Sequence, residues 1–465
     1  MSERRPRIGI LGIMQDLYDD MIPGIARRQE GYAAELAASL AGVGEFIPGK
    51  AVKYREDAER VMREFEDSDL DGVLVVMLTY GPAMRVARLL AESRLPICLA
   101  NIQPEPAVTA AWDMADMTYN QGVHGAQDTA NAMVRAGRRF SVLTDDWQSE
   151  TFRADVGRWA RAAAAVTAWR SLRVALVGYA MNDMGDIRVD ESALIRGLGP
   201  QIRAVAPGEV YRGMQAATDA QVADVIAFED ATFEIDPALS AAEREDHARM
   251  QVAIRAMLNQ GGYGAYTAHF DAIGEDGRFA RLPLAAASTL MAEGYGYAAE
   301  GDVLTACLVA AGHRLIGDAH FTEMYAMDFP SDSVLMSHMG EGNWKVARSD
   351  RPVRLIKRPL GIGRLADPPT FLFQYQPGPA TIATLVNLEG GRFRLVVAEG
   401  ENLDSPPLPA LEMPYGQFRP TSGLRECLNG WLAAGGPHHE VMNLGHHATS
   451  WRVFCQLTGI EFVPV

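Results

Sequence analysis

Seven of the ten histidines fall between residues 313 and 447, and three short stretches in the second half of the chain carry histidine or glutamate that could do chemistry together. "HFTEMYAMDFPSDSVLMSHMGEG" (320–342) sets Glu323 and His338 in a methionine-rich, weakly charged run. "AEGYGYAAEGD" (292–302) contains Glu300, and "AAGGPHHEV" (433–441) contains His438 and His439. Burying either residue type costs free energy unless a partner or a metal accepts it. Two carboxylates with two imidazoles make a four-donor site suited to Mn2+, Fe2+, Co2+ or Zn2+. None of the stretches is a compact HExxH-type motif, and each has a plainer reading. Glu300 would serve as an acid at a helix N-terminus, Glu323 and His338 as solvated rim residues, and His438–His439 as a surface turn. Spacing alone leaves both readings open.

The elements that would position these residues follow from periodicity. In the first third, "RIGILGI" (7–13), "GVLVVML" (72–78), "LPICLANI" (95–102) and "RFSVLTD" (139–145) read as strands, alternating with amphipathic helices at 55–66, 82–93 and 124–136. That alternation predicts parallel α/β layering. An alanine- and arginine-rich helix over 151–170 leads to "LRVALVGYA" (172–180), where a second α/β unit begins, with helices near 218–228 and 240–259. After residue 318, "PVRLIKRPL", "TFLFQYQ", "ATIATLVNL" and "RFRLVVAEG" read as period-2 strands between Gly and Pro turns. The expected fold is two Rossmann-like α/β domains, 1–170 and 171–317, followed by a mostly β domain, 318–465, as an antiparallel barrel.

Composition narrows the function. A formal charge of −16 opposes binding to nucleic acid or anionic lipid, which reward a clustered basic surface. A neutral or cationic small molecule fits better. The four cysteines, Cys98, Cys307, Cys427 and Cys455, lack ligand spacing and read as buried thiols in a reducing compartment. The N-terminal apolar run meets Gln15 and Asp16 almost at once and has no cleavage site, so it reads as a first strand rather than a signal peptide. No segment has the apolar length of a transmembrane helix. A cytoplasmic location, with no membrane association, is expected.

Five motifs, in order along the chain, resemble those of the L-arabinose isomerases, within the wider L-arabinose/L-fucose isomerase group. "YNQGVHG" (119–125) is similar to Asn-Gln-x-x-His-Gly, and "NQGGYGAYTAHF" (259–270) to Gln-Gly-Gly-(Tyr/Phe)-x-Ala-(Tyr/Phe)-Thr. "AEGYGYAAEGD" resembles Gln-Gly-Tyr-Gly-Phe-Ala-Gly-Glu-Gly-Asp, "SHM" (337–339) is kept, and "LAAGGPHH" (432–439) resembles Leu-Ala-Gly-Gly-Ala-His-His. The resemblance implies Glu300, Glu323, His338 and His439 as metal ligands, the second of the paired histidines being the family's ligand. It also implies Glu300 and Glu323 as the proton-transfer pair. Gln15, Leu17, Tyr80, Gln121, His124, Thr267 and Met339 are implied to contact the sugar, the N-terminal ones reaching a neighbouring subunit's site. A homotrimer or homohexamer follows.

The sequence departs from the motifs as well. Ala126, Gln127 and Asp128 stand where Gly-Arg-Glu is usual, Gly340-Glu341-Gly342-Asn343-Trp344 where Leu-Glu-Val-Cys-Pro is usual, and Tyr80 where Phe is usual. The first strand ends "GIMQDLYDD" instead of Gly-Ser-Gln-His-Leu-Tyr-Gly, and the chain ends at Val465 where relatives continue. Pocket-lining changes shift preference among similar polyols. The expected activity is therefore an aldose–ketose isomerase acting on L-arabinose or a close relative. Isomerisation or epimerisation of another pentose, hexose or deoxy sugar is the alternative, and non-catalytic sugar binding on the same scaffold is a third reading.

Overall fold

A computed structural model describes residues 4–465. Met1–Glu3 lie outside the described residues. The chain separates into two compact units, one of residues up to Thr167 joined by Arg452–Gly459, the other of Ala168–Trp451 with Ile460–Val465.

In the first unit the expected apolar runs form the strands Arg7–Ile13, Gly72–Met77, Ile97–Asn101 and Ser141–Thr144. A fifth, Glu45–Pro48, escapes sequence reading because it is four residues long and buries only Phe46. All five are parallel, in the order Glu45–Pro48, Arg7–Ile13, Gly72–Met77, Ile97–Asn101, Ser141–Thr144. Gly72–Met77 is buried at every position, as a central parallel strand covered on both faces must be. Helix Arg55–Asp67 covers the sheet with Ala58, Val61, Met62 and Phe65, an i, i+3, i+4, i+7 stripe. The helix expected over 82–93 is instead a 3-10 turn, Ala83–Arg85, and a helix, Ala87–Glu92, with Val86 between them at φ −117°, ψ −19°. Strand order reverses between the first and third strands in sequence, and the crevice at their carboxyl ends is where open α/β sheets bind ligands.

The second unit begins with a four-stranded parallel sheet ordered Gly296–Ala299, Ala265–Ala268, Arg173–Val177, Gln201–Val205. Helix Val303–Leu315 is buried along most of its length because it packs on this sheet and on the strands Ala319–Asp328 and His439–Leu444.

Beyond residue 318 six antiparallel strands close into a barrel. The ring runs Gly378–Leu388, His439–Leu444, Ala319–Asp328, Ser333–Ser337, Tyr415–Pro420, Arg392–Asn402 and back to Gly378–Leu388. Closure removes the exposed edges an open sheet would present. Met336, Ile382, Val396, Phe418 and Met442 pack in its core. The class expected from the sequence, two parallel α/β regions and an antiparallel barrel, is the one observed. The strands read at 352–360 and 370–376 stand outside the barrel, however: Arg354–Lys357 pairs with Pro369–Leu372 on one side and with Glu234–Ile235 on the other. All four cysteines are buried and free. Among the described residues no helix is long and apolar enough to cross a membrane.

Candidate metal centre

Glu323 lies on Ala319–Asp328, directly opposite His439 on one neighbouring strand and Ser337 on the other. Paired residues of adjacent strands project to the same face, so Glu323 and His439 stand side by side, and His338 joins them from the end of the Ser333–Ser337 strand. Glu323 Oε1 is 3.1 Å from His439 Nε2 and 3.8 Å from His338 Nε2, while Glu300 Oε2 is 3.6 Å from His439 Nε2. Candidate ligand atoms of Glu323, His338 and His439 all lie within 4.8 Å of one another, as do those of Glu300, His438 and His439. Glu323, His338 and His439 are at most 7% exposed, which removes the solvated-rim and surface-turn readings for these three.

Glu300 occupies the turn after Gly296–Ala299 in a left-handed conformation, φ 63°, uncommon for a residue with a Cβ and frequent at functional sites. The turn is pinned from three sides. Glu300 N donates to Ala268 O at 3.0 Å, Met181 N donates to Glu300 O at 2.8 Å, and Gly301 N donates to Thr267 Oγ1 at 3.0 Å. Gly301 has φ 83°, and a Cβ there would fall 2.4 Å from Ala180 Cα, so only glycine fits. The cap of helix Val303–Leu315 is Asp302, whose Oδ1 accepts from Thr305 N at 3.0 Å. The capping role considered for Glu300 therefore belongs two residues on. Thr267 is fully buried and also donates to Ala299 O at 3.2 Å, so it braces the Glu300 turn from behind. Met339 lines a pocket with Tyr297, Glu300, His338 and Leu284.

Each histidine of the cluster is oriented by a carboxylate that the sequence did not single out. His439 Nδ1 is 2.9 Å from Asp302 Oδ2, His338 Nδ1 is 2.7 Å from Glu341 Oε2, and His438 Nδ1 is 2.7 Å from Asp186 Oδ2. Tyr297 OH donates to the other Glu341 oxygen at 2.8 Å. Holding Nδ1 turns Nε2 toward the cluster, the arrangement that orients metal-binding histidines. Glu341 could have been found as the acid three residues after His338, and Asp302 as the acid two residues after Glu300. Asp186 carried no such signal.

Charge follows this geometry. Burial alone would raise the Glu323 pKa, but His338, His439 and His438 outweigh it and bring it to about 2. Burial lowers the His439 pKa, and the Asp302 and Glu323 carboxylates reverse this to about 9. His338 is raised in the same way, by Glu341 and Glu323 against burial. Glu300, Glu323, Asp302, Glu341 and Asp186 thus surround three imidazoles. The buried atoms His439 Nε2 and Glu300 Oε2 have no hydrogen-bond partner, which is costly unless something accepts them. A divalent cation with borderline N/O preference meets both demands, so the residues present fit such an ion.

The histidine crowding has a second, structural source. His313 Nδ1 and His320 Nδ1 accept backbone N–H groups of Ala319 and Asn343, and burial holds both rings neutral, with pKa values of about 3. His446 and His447 bond backbone carbonyls.

The N-terminal candidates lie within their own unit, at the strand-order reversal. Gln15 and Leu17 follow Arg7–Ile13, and Tyr80 follows Gly72–Met77; Gln15 N donates to Thr79 Oγ1 at 3.1 Å. His124 stacks on Tyr80 with ring centroids 4.7 Å apart and planes 2° apart, and Gln121 lies in the turn just before its helix. Gln15 Oε1 is buried without a hydrogen-bond partner.

Three family models cover successive parts of the chain: an L-arabinose isomerase N-terminal domain over residues 9–171, a central domain over 173–317 and a C-terminal domain over 318–461. The L-arabinose isomerase of Klebsiella pneumoniae (strain 342) is 30% identical over 414 residues, covering 86% of this chain and 81% of that protein. The chain belongs to the L-arabinose isomerase family. The L-arabinose isomerase of Yersinia pseudotuberculosis serotype O:1b (strain IP 31758) is 29% identical over the same shares of both chains. As a member of the L-arabinose isomerase family, the protein is an enzyme, an intramolecular oxidoreductase that interconverts an aldose and a ketose.

Proposed function

We propose that the protein converts L-arabinose to L-ribulose, or a closely related aldose to its ketose, with a divalent ion, Mn2+ first among Mn2+, Co2+, Fe2+ and Zn2+, held by Glu300, Glu323, His338 and His439. The observation that carries this reading is the gathering of those side chains about His439, both histidines being backed by their own carboxylates. When bound, the ion supplies Lewis-acid stabilisation of the negative charge that develops on the sugar oxygens. Glu300 and Glu323 move the proton: one carboxylate takes it from C2 of the open-chain aldose, and after the hydroxyl proton shifts along the enediol, a proton is returned to C1. The carbon acid is far too weak for a free carboxylate alone, which is why the charged oxygen needs help. Phe321, packed against the His338 and His439 rings, and Tyr297 keep water from the buried side of the cluster.

Gln15, Leu17, Tyr80, Gln121 and His124 contact the sugar, and they do so in the site of a neighbouring subunit, which makes a homotrimer or homohexamer the working assembly. The unpartnered Gln15 amide oxygen supports a polyol contact there. The enzyme works in the cytoplasm. Tyr80, where the family motif has Phe, favours a second reading of the substrate, another pentose, hexose or deoxy sugar, because an added hydroxyl changes which sugar oxygens find partners. Incubating metal-loaded protein with a panel of aldopentoses and aldohexoses and assaying ketose decides among them: L-arabinose turned over fastest supports the first reading, and another sugar preferred overturns it.

A further inference from the structure

Asp186 lies between the strand Arg173–Val177 and the helix Glu191–Gly197, yet its carboxylate meets His438 twice. Oδ2 is 2.7 Å from the ring Nδ1 and accepts from the backbone N at 3.2 Å. Two contacts from one oxygen fix both the place of the residue and the rotation of its ring. The segment carrying Asp186 is anchored by fully buried Ile187, and Arg188 donates to Met181 O at 2.9 Å, while Met181 N donates to Glu300 O. One loop therefore holds the Glu300 turn and the His438 ring at once.

The free ring nitrogen of His438 is 3.5 Å from Glu323 Oε1 and 3.8 Å from Glu300 Oε2, beside both carboxylates. Its side chain is 38% exposed, whereas that of His439 is fully buried, so His438 stands on the open side of the cluster. Resting on the isomerase reading above, we propose that Asp186 is a positioning residue that turns His438 toward the sugar. His438 Nε2 then hydrogen-bonds a substrate oxygen next to Glu300 and Glu323, while His439 alone of the pair holds the ion. The adjacent histidines, with ring centroids 4.2 Å apart, thus divide two tasks.

The test compares Asp186→Ala, Asp186→Glu, His438→Ala and the Asp186→Ala/His438→Ala double variant as metal-loaded full-length protein. Bound metal, kcat and KM for the aldose the parent converts, and calorimetric affinity for the matching linear alditol are measured. The expected result is unchanged metal stoichiometry with kcat/KM lower by about ten- to hundredfold in each Ala variant. Alditol binding weakens in parallel, Asp186→Glu recovers part of the loss, and the double variant is no worse than His438→Ala. Loss of metal from His438→Ala overturns the proposal, since it would make His438 a ligand. Parent-like kinetics and alditol affinity in Asp186→Ala, or losses that multiply in the double variant, overturn it as well. If the parent converts no aldose, the isomerase reading fails by itself, and alditol affinity still decides for Asp186: weakened binding upholds its role and unchanged or absent binding overturns it.

Discussion

Glu323 and His439 face each other at one register position of two antiparallel barrel strands, with Oε1 and Nε2 3.1 Å apart. His439 Nε2 has no aligned hydrogen-bond partner, and Asp302 holds the other ring nitrogen. The pair is prearranged for a third atom between them. The family membership, the outer carboxylates and the orphaned polar atoms agree on a cation.

Removing a ligand should remove the ion. His338→Ala is expected to lose stoichiometric divalent metal and to melt at a lower temperature than metal-loaded parent, because bound metal favours the native state. At a free metal concentration about 100 times its dissociation constant that linkage is worth about 2.7 kcal/mol. Metal analysis and thermal melts check it; full occupancy in the purified variant contradicts the ligand set.

Metal binding should release protons. His439 is held to about 9 and His438 to about 10 by neighbouring carboxylates that outweigh burial. A histidine pKa raised on folding stabilises the metal-free fold below the unfolded value of about 6.5, and that contribution is lost as pH rises through the folded value. A ligating nitrogen must give up its proton, so metal affinity is expected to climb between about pH 7 and pH 9. Calorimetry in buffers of different ionisation enthalpy should show proton release near pH 7; no buffer dependence would contradict the assigned ligand.

Glu440 follows His439 on the same strand and turns to the opposite face. It is 1% exposed, neither carboxyl oxygen has a hydrogen-bond partner, and burial, followed by the nearby Glu323 charge, pushes its pKa well above the usual carboxylate range. A raised carboxyl pKa destabilises the fold as pH rises above the unfolded value of about 4.3. Glu440→Gln should therefore stabilise the protein by about 1–3 kcal/mol, with a larger gain in melting temperature near pH 8 than near pH 5. An equal or negative change at both would show that Glu440 has a compensating partner.

The shared-site reading predicts complementation. Inactive His124→Ala chains mixed with inactive Glu300→Gln chains should recover partial activity after verified subunit exchange, since some interfaces join two intact halves. No recovery, or a strictly monomeric active enzyme, would place His124 elsewhere.

The first α/β unit was legible because its strands are short apolar runs and its loops carry motif residues. The three barrel strands bearing the cluster were not. Ala319–Asp328 and His439–Leu444 are covered on one side by the barrel interior and on the other by helix Val303–Leu315, so they show no clean alternation. Thr322, Glu323, Glu440 and Asn443 further dilute their apolar signal while buried. Glu323, His338 and His439 were named from their residue types and from the family resemblance, whereas Asp302 and Glu341, each within three residues of a named ligand, showed their role only once the strands brought them to the rings. "GEG" after "SHM" looked like a departure. In the fold Glu341 holds His338, and a Cβ at Gly340 would fall 2.7 Å from a Leu284 methyl group.

Ketose formation by metal-loaded, metal-stripped and Glu300→Gln and Glu323→Gln proteins tests the proton-transfer centre most directly. The expected result is ketose from at least one aldopentose or aldohexose with the metal-loaded parent. Activity should be lost on chelation and restored by the ion, and the Gln variants should keep sugar affinity while turnover falls by more than about tenfold, the equivalent of about 1.4 kcal/mol in the barrier. Unchanged activity after verified metal removal, or near-parent turnover in both Gln variants, would contradict a metal-assisted carboxylate mechanism.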